Sequence, residues 1–113
     1  MLGLILSTTH LDDESSVIAV HGELDPHTTP RLEHTIAEAF DGGAKAVTVN
    51  LTACEFLDSS ALKMLLRAKR QRGHVSLVIT DRRILKPFEI TRFDRFFPIH
   101  STVEEASSKA TRA

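Results

Sequence analysis

Lys45–Leu51 reads KAVTVNL, and Phe56–Leu62, a few residues on, reads FLDSSAL. The first stretch is short and rich in β-branched residues, with Gly42-Gly43 before it, and it predicts a central strand. In the second, Asp58 stands where a helix N-cap stands, with a carboxylate able to accept from the free N–H groups of the next turn. Residues Ser59–Gln71 follow at helical spacing and end at Gly73. A strand that feeds directly into a capped helix is the repeating unit of a parallel sheet, and it sets the reading of the segments on either side.

Upstream, Leu2–Thr8 and Ser16–Gly22 predict a hairpin across the polar turn Asp12-Asp13-Glu14. Glu23–Pro30 is a loop entering a helix, with two candidate starts: Asp25 as N-cap before Pro26, or Thr29 as N-cap before Pro30. Leu32, Ile36, Ala39 and Phe40 carry the helical period, and Asp41-Gly42-Gly43 stops it. Downstream, Val75–Thr80 predicts a buried strand. Asp81 caps a third helix to about Thr91 that Pro87 interrupts or kinks, and Pro98–His100 predicts a short strand. Ser101-Thr102-Val103-Glu104 reads as a capping box before a last short helix, with residues 108–113 as a frayed tail. The order is β-β-α-β-α-β-α-β-α. It predicts one α/β domain over residues 1–113: a mixed β-sheet with parallel central strands and right-handed crossovers, packed against helices.

Composition narrows the function. The chain is 42% hydrophobic, enough for a packed core. Its formal charge of −1 argues against a dedicated nucleic-acid binder, and without Trp or Tyr any base stacking would fall to Phe. The charges are unevenly spread: residues 1–58 hold ten acids and two bases, residues 59–113 twelve bases and five acids. That is either two solvated faces of one domain or a polarised surface that steers a charged partner. The single cysteine, Cys54, excludes an internal disulfide and fits a reducing, cytoplasmic setting. The apolar N-terminus is too short for a signal peptide, and no run is long enough to span a bilayer.

Catalytic patterns are missing. The six histidines are scattered and build no metal-ligand spacing, Ser59 lacks a nucleophile elbow, and no nucleotide-binding glycine loop occurs. Cys54 reads as a small buried thiol. These residues predict no enzyme, no metal and no cofactor. The feature that remains is Asp58-Ser59-Ser60 at a helix start beyond a central strand, where open α/β sheets usually build sites. Free N–H groups and the helix dipole favour an anion there, so a phosphate on Ser59 would sit in a favourable field; equally, the three residues can simply cap the helix. On the following helix Ala61, Leu62, Leu65 and Ala68 centre on one face, with Lys63, Arg67 and Arg70 as a basic stripe opposite. Ser59 lies one turn before Lys63 at the edge of that stripe, and Leu66 borders the same edge.

Gly22-Glu23-Leu24-Asp25, Thr28, the strand Ala46–Leu51 and Phe56–Leu62 together resemble the STAS domain family. The match is to its stand-alone bacterial anti-sigma factor antagonists. It continues through Leu85–Thr91 and Phe96–Ile99, so it covers almost the whole chain. The resemblance implies a binding switch. The unphosphorylated protein binds an anti-sigma factor, often a serine kinase of the histidine-kinase-like ATPase fold, and so releases a sigma factor. Phosphorylation of Ser59 ends the complex, and a phosphoserine phosphatase resets it. By position, the recognition surface comprises Asp25, Thr28, Asp58 and Ser60, with Leu62, Lys63 and Leu66 on the exposed side of the second helix. The chain departs from the pattern at Ala61 and Arg92, where the family usually has glycine. The first adds a methyl where a partner's backbone would approach; the second carries strain if the position needs a positive φ. Two other roles remain: an adaptor subunit of a membrane transport ATPase or anion transporter without phosphorylation, and a small phosphocarrier using His21 or His27.

Overall fold

Two long parallel strands form the middle of the molecule, β2 (Ser15–Leu24) and β3 (Ala46–Leu57). The computed structural model describes residues 3–110. β1 (Ile5–His10) pairs antiparallel with β2, while β4 (His74–Val78) and β5 (Ile99–His100) extend the sheet parallel to β3, in the order β1-β2-β3-β4-β5. Each parallel step is made by one helix: α1 (Thr29–Asp41), α2 (Ser59–Gln71) and α3 (Arg82–Ile90). Right-handed crossovers between strands laid down in sequence put all three on one face. There Ile18, Val20, Val47, Val49 and Leu77 from the strands join Leu32, Ile36, Leu65 and Phe88 from the helices in one core. The last helix, α4 (Val103–Ala110), lies across β2 to β5. Val17, Val78, His100 and Ala106 are buried outside the main core, on the opposite face. His100 is satisfied there by Glu105 at 3.1 Å. No described helix is long and apolar enough to cross a membrane.

Several boundaries differ from the sequence expectation, each for a visible reason. β1 runs to His10 rather than Thr8, because the hairpin pairs His10 with Ser16; Leu2 lies outside the described residues. β3 continues six residues beyond Leu51. Its far half has no strand-like alternation but is held by β2, through Gly22↔Cys54, Glu23↔Phe56 and Leu24↔Leu57. The register shifts twice, between Ala19 and His21 and between Gly22 and Glu23, and each time β3 carries one residue more than β2. β4 ends at Val78, since Ile79–Asp81 turns toward α3.

Helix starts differ too. α1 takes Thr28 as its N-cap, with no side-chain hydrogen bond and Pro30 in the first turn; neither Asp25 nor Thr29 caps it. Pro87 lies inside α3 without ending it. A proline six residues into a short helix forfeits one backbone bond, and the helix runs on to Ile90. A 3-10 turn at Phe93–Arg95, not anticipated from the sequence, follows it. In α4 the capping hydroxyl is that of Thr102, which accepts from Glu105 N–H at 3.1 Å, so the box is shifted by one residue from Ser101. Helix also covers residues 108–110 of the expected frayed tail; 111–113 lie outside the described residues.

Three described residues have positive φ, Gly22, Gly43 and Arg92, and two of these meet a steric constraint. Gly22 has φ +121°, and a Cβ there would stand 2.7 Å from the carbonyl oxygen of Gly3. Arg92 has φ 63° and ψ 19°, the left-handed region that glycine adopts without cost. The strain foreseen for an arginine at this position is therefore present. Gly22→Ala should lower unfolding stability by about 1–3 kcal/mol, read by urea denaturation. A loss below about 0.5 kcal/mol would show that the close approach of Gly22 to Gly3 does not need glycine. Arg92→Gly should raise stability by about 0.5–1 kcal/mol, because strain relief exceeds the added chain entropy.

Candidate functional site

β2 and β3 end side by side, and the chain leaves each into a loop at the same edge of the sheet. Leu24 pairs with Leu57, and the Asp58 N–H donates to the Leu24 carbonyl at 3.1 Å. The Asp25 loop and the start of α2 are thus fixed against each other by backbone, at the carboxyl ends of parallel strands where open sheets form sites.

The Asp25 loop is a closed knot of hydrogen bonds. Asp25 Oδ1 accepts from the N–H groups of His27 at 2.8 Å and Thr28 at 2.9 Å. The Thr28 hydroxyl donates to the Glu23 carbonyl at 2.7 Å and accepts from the Asp25 N–H at 3.0 Å. Thr28, expected to face a partner, is half-buried and spends its hydroxyl inside the loop. It shapes the surface that Asp25 presents. The Thr28 N–H, with help from the His27 N–H, the Thr28 hydroxyl and the His27 charge, holds the Asp25 carboxyl below its ordinary value; desolvation opposes this.

At the other loop, two adjacent serines take opposite roles. Asp58 Oδ1 accepts from the N–H groups of Ser60 at 2.9 Å and Ala61 at 3.3 Å, and from the Ser60 hydroxyl at 2.5 Å. Ser60 Oγ also lies 3.5 Å from Thr29 Oγ1, joining the starts of α1 and α2. Ser60 is half-buried and its proton is committed. Ser59 is exposed, and its hydroxyl makes no hydrogen bond among the described residues. Cap and accessible hydroxyl therefore coexist at one helix start, which the sequence pattern had left as alternatives.

The helix departs from the expected surface at two residues. Leu62, carried onto the recognition surface by resemblance, is only 3% exposed and belongs to the core. Ala61 is 0% exposed, so its methyl points into the domain and adds nothing to the surface a partner would meet. Lys63 is exposed and Leu66 half-buried, as expected. Cys54 is buried; its thiol donates to the Phe56 carbonyl at 3.2 Å, and burial pushes its pKa up, away from reactivity. Sequence reasoning missed Phe56 as a surface residue. Two residues before Asp58, it is 47% exposed, with Glu23 opposite it in the sheet and exposed Glu55 beside it in sequence. Its signal was the continuation of β3, which reads as a strand only once its pairing with β2 is known.

Comparison with known proteins places this geometry among relatives. The family model of the STAS domain matches residues 7–106. The anti-sigma-F factor antagonist RsfB of Mycobacterium tuberculosis is 29% identical over 94 residues, covering 80% of this chain and 77% of that protein. A crystal structure of an anti-sigma factor antagonist from Mycobacterium paratuberculosis superposes with a TM-score of 0.88 at 29% identity, over 98% of this chain and 96% of its own. The anti-sigma factor antagonist SpoIIAA in its unphosphorylated form superposes with a TM-score of 0.81 over 96% and 98%; at 24% identity that likeness shows the fold.

Asp25 supplies a test of the loop. Its folded pKa is depressed, so its stabilising contribution is complete above the ordinary carboxylate value of about 3.9 and disappears as pH falls through the lower folded value. In Thr28→Val the Asp25 carboxyl should titrate closer to the ordinary value, followed by carboxyl-carbon NMR, while Thr28→Ser keeps it low. An unchanged titration in the valine variant would remove the positioning role from the threonine hydroxyl.

Proposed function

The chain belongs to the STAS domain family, and we propose that it is an anti-sigma factor antagonist switched by phosphorylation of Ser59. In this reading the unphosphorylated protein binds an anti-sigma factor that is also a serine kinase, and the sigma factor is released to the transcription machinery in the cytoplasm. The observation that carries it is the contrast at the start of α2: Ser59 is exposed with an uncommitted hydroxyl, while Ser60 is tied to Asp58. The names of the relatives support the regulatory role, and the chain's own part is binding rather than turnover.

The chemistry asks little of this protein. Ser59 Oγ attacks the γ-phosphorus of ATP held by the kinase, the bond to the ADP oxygen breaks, and the hydroxyl proton passes to a base on the kinase. A phosphatase later delivers water to the same phosphorus and returns serine and inorganic phosphate. The contact surface comprises Asp25, held by Thr28, with Asp58, Ser59, Lys63 and Leu66; Ser60 supports it from within. A phosphoserine brings roughly −1.5 to −2 charges at pH 7. In the free protein the α2 N-terminus and Lys63, one turn on, offset that charge, so the fold survives. Against a closely packed partner the same charge must be desolvated, and a loss of about 3–4 kcal/mol weakens binding a few hundred-fold.

Incubation with ATP and each histidine-kinase-like anti-sigma factor of the same genome, followed by intact-mass analysis, should show one phosphate that maps to Ser59. Ser59→Ala should accept none and bind constitutively. Ser59→Asp should bind about a hundred-fold more weakly while melting within a few degrees of the unmodified protein. Phosphate on Ser60, or phosphate that persists in Ser59→Ala, would overturn Ser59 as the acceptor. An aspartate variant that fails only because it is unfolded would overturn the electrostatic account, and one that binds normally while phosphoserine also leaves the complex intact would overturn the switch.

A further inference from the structure

Along α2, Ser59, Lys63, Leu66 and Arg70 fall on one line, their directions spanning about 60° of the helix circumference over about 16 Å of its length. Ser59, Lys63 and Arg70 are exposed and Leu66 is half-buried. Beyond Ser59 the line opens into a shallow cavity of about 380 Å³, lined by Lys63, Leu66, Arg67, Arg70 and Gln71. Solvated helix faces usually intersperse charges of both signs, which support one another at i,i+4 spacing. Here residues 59–71 carry four cations and no acid. Arg67 is taken by Glu33 of α1 at 2.8 Å, whereas Lys63 and Arg70 have no ion pair among the described residues. The exposed groove on α3 differs: its Arg82 faces Glu89 and its Arg83 is held by Asp81, so part of its charge is already answered within the chain.

We propose that this stripe receives an acidic segment of the anti-sigma factor, with carboxylates on Lys63 and Arg70 and an apolar side chain between them on Leu66. The inference rests on the switch proposed above and names the chemistry of its partner. Charge complementarity decides the sign. Covering two cations with a neutral or basic surface would desolvate them without return, whereas carboxylates replace the water they lose. The stripe also gives the switch a second means of acting. A phosphate on Ser59 stands one turn from Lys63, so it competes for the cation that the partner's carboxylate uses and repels that carboxylate as well.

The test is calorimetric titration of the full chain with the anti-sigma factors of the same genome. Affinity should fall about tenfold or more between about 0.05 M and about 0.5 M salt. Lys63→Glu and Arg70→Glu should each weaken binding about tenfold, and Leu66→Ala by a similar factor. Lys86→Glu on α3 should stay within about twofold of the unmodified protein, and thermal melts should confirm that every variant is folded. If the unmodified chain binds no anti-sigma factor, the proposed function falls and this inference with it. If it binds and the Lys63 and Arg70 reversals leave affinity unchanged or raise it, or affinity is indifferent to salt, only the acidic-partner inference is overturned.

Discussion

Everything at the carboxyl end of this sheet depends on Asp58. Its N–H closes onto the Leu24 carbonyl and so welds the end of β3 to the end of β2. Its carboxylate then takes the Ser60 and Ala61 N–H groups, which a new helix would otherwise leave unpaired. The same oxygen takes the Ser60 hydroxyl proton. One side chain thereby sets where α2 begins and which of two neighbouring serines is spent. A hydroxyl has one proton to give, and Ser60 gives it to Asp58; Ser59, the first helical residue, is turned out of the cap toward water.

Legibility followed the range of the interaction that decides each feature. α2 was read with its correct bounds because an aspartate cap and a run of apolar residues at helical spacing are local signals. The right-handed α/β order followed from alternation of strand and helix. The far half of β3 was invisible because Thr52-Ala53-Cys54-Glu55 has no alternation of its own; pairing with β2, across two places where β3 carries an extra residue, makes it a strand. Leu62 was set on the recognition surface by resemblance, although its helical period groups it with Ala61, Leu65 and Ala68, and the structure buries it with them. Pro87, expected to interrupt or kink the third helix, does not interrupt it: α3 runs through it with Ile84 and Phe88 buried on either side. Thr28 and Ser60 spend their hydroxyls inside the cluster, in hydrogen bonds whose geometry spacing does not carry.

The uneven charge of the sequence has a structural counterpart. The acid-rich first half supplies the strand ends and the Asp25 loop, so Glu23, Asp25, Glu55 and Asp58 gather at one edge. The base-rich second half supplies α2, whose outward side is cationic. Ser59 stands where the two meet, with Asp58 before it and Lys63 one turn after. Under the proposed switch that position matters more than the serine's own chemistry. A phosphate placed deep in the acidic edge would meet like charges with no cation one turn away. At the boundary the free protein can answer the new charge with Lys63 and the helix N-terminus. A bound partner that needs Lys63 for itself cannot. A modification of one hydroxyl can then change affinity while leaving the fold as it was.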